Sequence, residues 1–157
     1  MSGADDEAKR AFHFDEGVLS LPQGFRDRSQ QVLEWSVDNS SSVVLVIQRD
    51  TLAPGPSGSP TDNFDARVAH ETNNYPTRFL GFRREPDDYP DPFDGTLPLR
   101  RIVFRWKSDR DVLYNHQVFL LSVPLMLIFT VSAKPAHRER ADRIMHSALL
   151  DLRFRED

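Results

Sequence analysis

The chain has 157 residues, no cysteine, 20 basic and 24 acidic side chains, and a net charge of −4 at pH 7. Its length sets one domain as the starting point, and the lack of cysteine excludes disulfides and thiolate-ligated zinc, so packing must hold the fold. The balanced charge argues against a dedicated nucleic-acid binder, and 39 % apolar residues with 11 Phe and 2 Trp argue against disorder.

The opening MSGADDEAKRAF is polar and has no apolar h-region, so it does not read as a secretory signal. Residues 1–11 are expected to be a flexible N-terminus ahead of a single domain over 12–157, in a cytoplasmic protein without stable membrane insertion. GVLSLPQGF (17–25) alternates as a short strand, Leu19 and Leu21 on one side, ended by Pro22 and Gly24. QQVLEW (30–35) and SVVLVIQR (42–49) are two more strands around the turn-rich SVDNSS. TLAPGPSGSPT (51–61) is an exposed loop. Beyond it Thr61 or Asp62 can cap a helix carrying Phe64, Val68, Tyr75 and Phe79, which Pro76 must kink or split.

FRRE (82–85) reads as an edge strand and PDDYPDPFDG (86–95) as an acidic loop. LPLRRIVFRWKS (97–108) alternates Ile102, Phe104 and Trp106 against Arg101, Val103, Arg105 and Lys107. The most apolar stretch, HQVFLLSVPLMLIFTVSA (116–133), is too short and too interrupted by Ser122 and Pro124 for a membrane helix of about 20 residues. Its β-branched and aromatic residues instead form two strands, 112–121 and 125–132, turning through Ser122-Val123-Pro124. A last helix over 136–152 has one apolar stripe of Ala141, Ile144, Met145, Ala148, Leu149 and Leu152.

These elements make an α+β fold with a curved, mostly antiparallel sheet of six or seven strands and two main helices packed on one face. The hairpin over 112–132 is apolar on both faces, so with both helices on one side some apolar surface is expected to remain for another chain.

Chemical motifs are absent. His13, His70 and His116 have no H-E-x-x-H spacing, Asp87, Asp88, Asp91 and Asp94 lack the periodicity and closing Glu of a calcium loop, and no nucleophile elbow, phosphate loop or dinucleotide glycine pattern occurs. No cofactor, metal or catalytic residue is expected. Two glutamines stand in apolar runs, Gln48 and Gln117, and each must find a partner if buried, because an unsatisfied amide costs about 1–3 kcal/mol.

The strand GVLSLPQGFRDRS, ending L-x-L-P-x-G-aromatic-x-D, resembles the opening of the DcrB-like family. So does the order that follows: VVLVIQR, a helix, RIVFRW, YNHQVFLL, LIFTVSA and a terminal helix, over roughly 12–154. Within that family the chain is most similar to the Eag-type chaperones of type VI secretion, although Phe25 stands where the family more often has Trp and the APGPSGSP loop is long. The resemblance implies a Mog1/PsbP-like fold and a small cytosolic homodimer. It also implies a chaperone that shields the N-terminal transmembrane helices of a cognate secreted effector in an apolar cleft until loading on the secretion spike. It further implies that glutamines hydrogen-bond the bound helix, a role that falls to Gln117 and Gln48. Strand parity adds Leu19, Leu21, Val32, Val44, Val46 and Phe119 to the cleft. On this reading Gln117 waits for a partner, and Gln117→Leu is expected to leave stability unchanged or slightly raised. The alternatives are an enzyme or small-ligand-binding protein using the same cleft, with His116 as a contributor, and an interaction module whose apolar face only makes a homodimer.

Overall fold

The structure of the protein, a computed structural model, describes residues 9–14, 17–22, 30–52 and 58–154, the first two segments as backbone. Residues 1–8, Phe25 and the 53–57 part of the proline-rich loop lie outside the described residues. In chain order the elements are β1 (Lys9–Phe14), β2 (Gly17–Pro22), β3 (Gln30–Ser36), β4 (Ser42–Thr51), α1 (Pro60–Asn73), α2 (Tyr75–Arg78), β5 (Arg83–Arg84), β6 (Leu99–Ser108), β7 (Asp111–Ser122), β8 (Leu125–Ala133), a 3-10 turn (Pro135–His137) and α3 (Arg138–Asp151).

Strands β3 to β8 form one curved, open sheet in the order β3–β4–β8–β7–β6–β5. Every neighbouring pair is antiparallel. β1 and β2 pair as a separate two-stranded ribbon. β1 starts at Lys9, inside the stretch read from sequence as a flexible terminus: KRAFHF has little apolar alternation to reveal it.

The apolar run becomes β7 and β8, joined tightly through Val123 and Pro124. Helix α1 starts two or three residues earlier than the sequence suggested. Ser59 is the cap, its hydroxyl accepting from the Asp62 amide at 3.4 Å, and Pro60 fills the first turn, where a missing N–H costs nothing. Pro76 splits the helical stretch as anticipated, giving the separate single turn α2.

The two helices do not share a face. Phe64 of α1 and Tyr75 of α2 pack on Ile102, Phe104, Phe119, Leu121, Met126 and Ile128. Ala141, Met145 and Leu149 of α3 pack on Val103, Val118, Leu120, Phe129 and Val131. Val118 and Phe119 are consecutive in one strand and therefore point to opposite faces, so the sheet is sandwiched between α1/α2 and α3. This corrects the one-face arrangement and removes its corollary. The hairpin is apolar on both faces because each face meets its own helix layer, and β7 is buried from Tyr114 to Leu121. An amphipathic stripe states that a helix covers something; it does not state which side of the sheet.

Candidate functional site

The α1/α2 cover stops partway across its face. The core beneath it takes in β6, β7 and the Met126–Ile128 half of β8. Register extends that face to residues outside the core. Ile102, Gln117, Thr130, Val46 and Val32 form one cross-strand row, and Phe104, Asn115, Ser132, Val44 and Glu34 the next. Val44, Val46, Thr130 and Ser132 are half-buried, and Val32, on the edge strand, is 58 % exposed. The result is a half-covered sheet face on β3 and β4, three valines (Val32, Val44 and Val46) set among the polar Gln30, Glu34 and Gln48.

One end of the groove is a polar cavity of about 260 Å³ lined by Gln30, Gln48, Asp50, Arg67, Glu71 and Ile128. Gln48 Nε2 donates to Gln30 Oε1 at 3.0 Å across β3 and β4. Arg67 of α1 donates to Asp50 of β4 at 2.7 Å, which fixes the helix as the wall.

Val32, Val44, Val46, Gln48, Gln117 and Phe119 therefore do lie on one face, but they do not all line the opening. Val32, Val44, Val46 and Gln48 do. Phe119 is 0 % exposed, sealed under α1 and α2, and is corrected from groove residue to core residue. Leu19 and Leu21 sit in β2, opposite Phe12 and Arg10; their side chains lie outside the described residues.

Gln117 sits at the boundary, 8 % exposed. Its Oε1 accepts from the Tyr75 hydroxyl at 2.6 Å and its Nε2 donates to Thr130 Oγ1 at 3.0 Å. The amide is thus engaged at both ends inside the subunit, which corrects the picture of a side chain waiting for cargo. Burial, with the nearby Glu71 charge, pushes the Tyr75 hydroxyl up to about 12, so it remains a donor through the neutral range. One step along the groove lies a pair that reading by single residues missed: Ser132 Oγ donates to Asn115 Oδ1 at 2.9 Å.

A second polar cluster lies under α3, on the opposite face. Arg101 Nη1 is 2.8 Å from His116 Nε2, and His116 Nδ1 is 2.8 Å from Asp142 Oδ1. A guanidinium can only donate, so Nε2 is the bare nitrogen and the Nδ1 proton goes to Asp142. Tyr114 donates to Asp142 Oδ1 at 2.7 Å and Tyr89 to Oδ2 at 2.9 Å. Burial, and then the adjacent Arg101 charge, hold the His116 imidazolium below its ordinary range, against the opposing bond to Asp142. Burial alone would raise the Asp142 carboxyl, yet the three donors together keep it low. Both ring nitrogens are occupied, so His116 has no lone pair left to take a proton from a substrate. The cluster ties α3 and the 86–95 loop to β6 and β7. His116 and Gln117 face opposite ways, which corrects the placement of His116 in the cleft.

No helix among the described residues is long and apolar enough to cross a membrane. No group of three His, Cys, Asp or Glu side chains among those residues could hold a metal ion.

Comparison with known proteins places these features. No curated protein matches the sequence. A solved structure from Pseudomonas aeruginosa, described as a protein of unknown function and putative regulator, superposes with a TM-score of 0.71 at 19 % identity, covering 95 % of this chain and 99 % of that one. At that identity the likeness speaks for the fold. The family model for DcrB matches residues 16–149, from the start of β2 to the last turn of α3, and the chain belongs to the DcrB family.

Proposed function

We propose that this DcrB-family protein is a non-enzymatic, cytoplasmic chaperone of the Eag type. In this reading it binds the N-terminal transmembrane helices of a type VI secretion effector, shields them from water, and holds them until the effector is loaded on the secretion spike. The observation that carries the reading is the half-covered sheet face. Most of the sheet is sealed by helices on both faces, whereas Val32, Val44 and Val46 form an uncovered apolar patch bordered by Gln30, Glu34 and Gln48. Such a patch suits an apolar helix, whose burial is worth about 25 cal/mol per Å², and glutamines at its margin supply the polar contacts that neighbouring helices exchange in lipid. The occupied ring of His116 and the absence of sequence motifs for nucleophilic or phosphate chemistry favour binding over turnover.

A helix spanning a bilayer is about 30 Å long, and the reading includes a homodimer that clamps one helix or carries two. Co-expression with a type VI effector that carries N-terminal transmembrane helices is the test. The effector stays soluble and copurifies with the wild-type protein, and Val46→Glu releases it while the protein remains folded. An effector equally soluble without the protein refutes the proposal. Light scattering that gives a monomer with and without effector removes the dimer.

A further inference from the structure

Independently of the groove, we infer that the polar cluster under α3 is an acid-sensitive latch: protonation of His116 expels the Arg101 guanidinium and loosens the 86–95 loop from the sheet. The geometry fixes which contact must fail. In the neutral ring Nε2 is bare and accepts from Arg101 Nη1 at 2.8 Å, while Nδ1 donates to Asp142 Oδ1 at 2.8 Å. A proton can add only at Nε2. There it sets N–H against N–H and cation against cation at hydrogen-bonding distance. The same proton strengthens the bond to Asp142, because donor and acceptor are then both charged.

His116 has no room to give way. It is 0 % exposed in the middle of β7, and the Tyr89 ring lies 4.7 Å from its own. Arg101 is half-buried and reaches the surface. The polar groups around the imidazole come from each element packed on it. β6 supplies Arg101, α3 supplies Asp142, and the loop supplies Tyr89. Tyr114 stands two residues away on β7, with Arg138 of α3 at 5.6 Å over its ring. The ladder neighbours of His116, Val103 on β6 and Val131 on β8, are apolar. The Asp87 and Asp91 charges of the loop favour the Arg101 cation, so a displaced guanidinium moves toward carboxylates.

Arg101 is also what clamps the loop. Its Nη2 donates to the Pro90 carbonyl at 3.4 Å, and its guanidinium lies 5.0 Å over the Tyr89 ring. Both contacts are lost with the guanidinium. Tyr89 keeps its hydroxyl contacts with Tyr114 at 3.0 Å and Asp142 at 2.9 Å, so the loop loosens without leaving. Burial and the Arg101 charge hold the imidazolium below its ordinary range, which keeps the latch closed at neutral pH and opens it below about pH 6.5. Linkage makes the coupling reciprocal: a loop pulled off the sheet leaves His116 easier to protonate.

The chain has three tyrosines, so the full-length protein labelled with 13C-tyrosine reports Tyr75, Tyr89 and Tyr114 separately. A neutral gadolinium chelate in solution broadens the signals of rings that water can reach. Between pH 7 and 5 broadening of Tyr89 should rise roughly twofold or more, as for a segment that opens locally. Tyr75, 2 % exposed on the opposite face, should stay unaffected. His116→Gln does not titrate and Arg101→Leu has no guanidinium to expel, so in each folded variant Tyr89 broadening should be the same at both pH values. Unchanged Tyr89 broadening in the wild type overturns the latch, and this comparison needs no variant. Tyr75 and Tyr89 broadening in step would mean global acid unfolding and overturns it too, as does an acid response of Tyr89 that survives in either folded variant.

Discussion

Replacing Gln117 by Leu separates a groove glutamine that waits for cargo from one that already holds the subunit together. In the first case the change removes an idle polar group and stability holds or rises. The structure requires the second outcome. The Tyr75 hydroxyl, on a residue 2 % exposed, donates to Gln117 Oε1 at 2.6 Å, and Thr130 Oγ1 accepts from Nε2 at 3.0 Å. Leucine fills a similar volume but strands the Tyr75 hydroxyl in an apolar cluster with Phe79, Phe82 and Phe104. Leaving such a group unmade costs about 1–3 kcal/mol. For a chain of this length each kcal/mol lowers the melting temperature by roughly 2–4 °C, so Gln117→Leu should melt about 2–12 °C below wild type. Tyr75→Phe in the same chain removes the stranded hydroxyl, and the double variant should recover most of the loss. A double-mutant cycle by thermal or urea melts measures the coupling, expected at about 1–2 kcal/mol. A Gln117→Leu protein as stable as wild type, or a cycle that is simply additive, refutes the hydrogen-bond account.

Val46→Glu should leave the melt within about 0.5 kcal/mol of wild type, since the site already opens to water, while effector capture is lost; an unfolded variant would place Val46 under a helix. Phe119→Ala should cost about 3–5 kcal/mol through the cavity it leaves between the sheet and α1, and a near-neutral melt would return Phe119 to the groove. His116 is held neutral when folded but takes up a proton near pH 6.5 when unfolded, so between its depressed folded value and about 6.5 the unfolded chain binds more protons. Its contribution is complete above about pH 6.5 and is lost as pH falls toward the folded value; the wild type should therefore lose more stability than His116→Gln between pH 7 and 5, and parallel pH profiles would refute a His116 held neutral by folding.

Much of this fold is legible in the sequence because strand signals are local. The alternation of Ile102, Phe104 and Trp106 and the β-branched run after Pro124 define β6 and β8 to within two residues. The α3 stripe is equally local, and its residues Ala141, Met145 and Leu149 are those found buried. What is not legible depends on pairing across the chain. Both faces of β7 read as apolar, but whether a second helix layer or a partner covers the spare face is decided by the path from β5 through the 86–95 loop into β6 and by the later return of α3. Parity put Phe119 and Val46 on the same side correctly. It could not say that α1 ends its cover between them.

The polar residues of β7 and β8 record where that cover ends. On the α1/α2 face β7 reads Leu121, Phe119, Gln117, Asn115, and its antiparallel partner β8 reads Met126, Ile128, Thr130, Ser132. Each strand turns from apolar to polar at the same rung, although on the α3 face β8 stays apolar through Phe129 and Val131 and β7 keeps Val118 and Tyr114 in the core on either side of His116. A strand that merely reached solvent would be expected to become polar and charged, with its neighbours following. Here the neighbours stay apolar, Ile102 and Phe104 on one side and Val44 and Val46 on the other. Uncharged amides and hydroxyls in such a strip weaken a core, because each must be paired or left at a cost. In this structure they are paired, Gln117 with Tyr75 and Thr130 and Asn115 with Ser132, so they form a satisfied polar seam at the rim of the α1/α2 core. The hairpin that first read as a surplus of apolar surface thus marks the edge of its helix cover in the four residues that are not apolar.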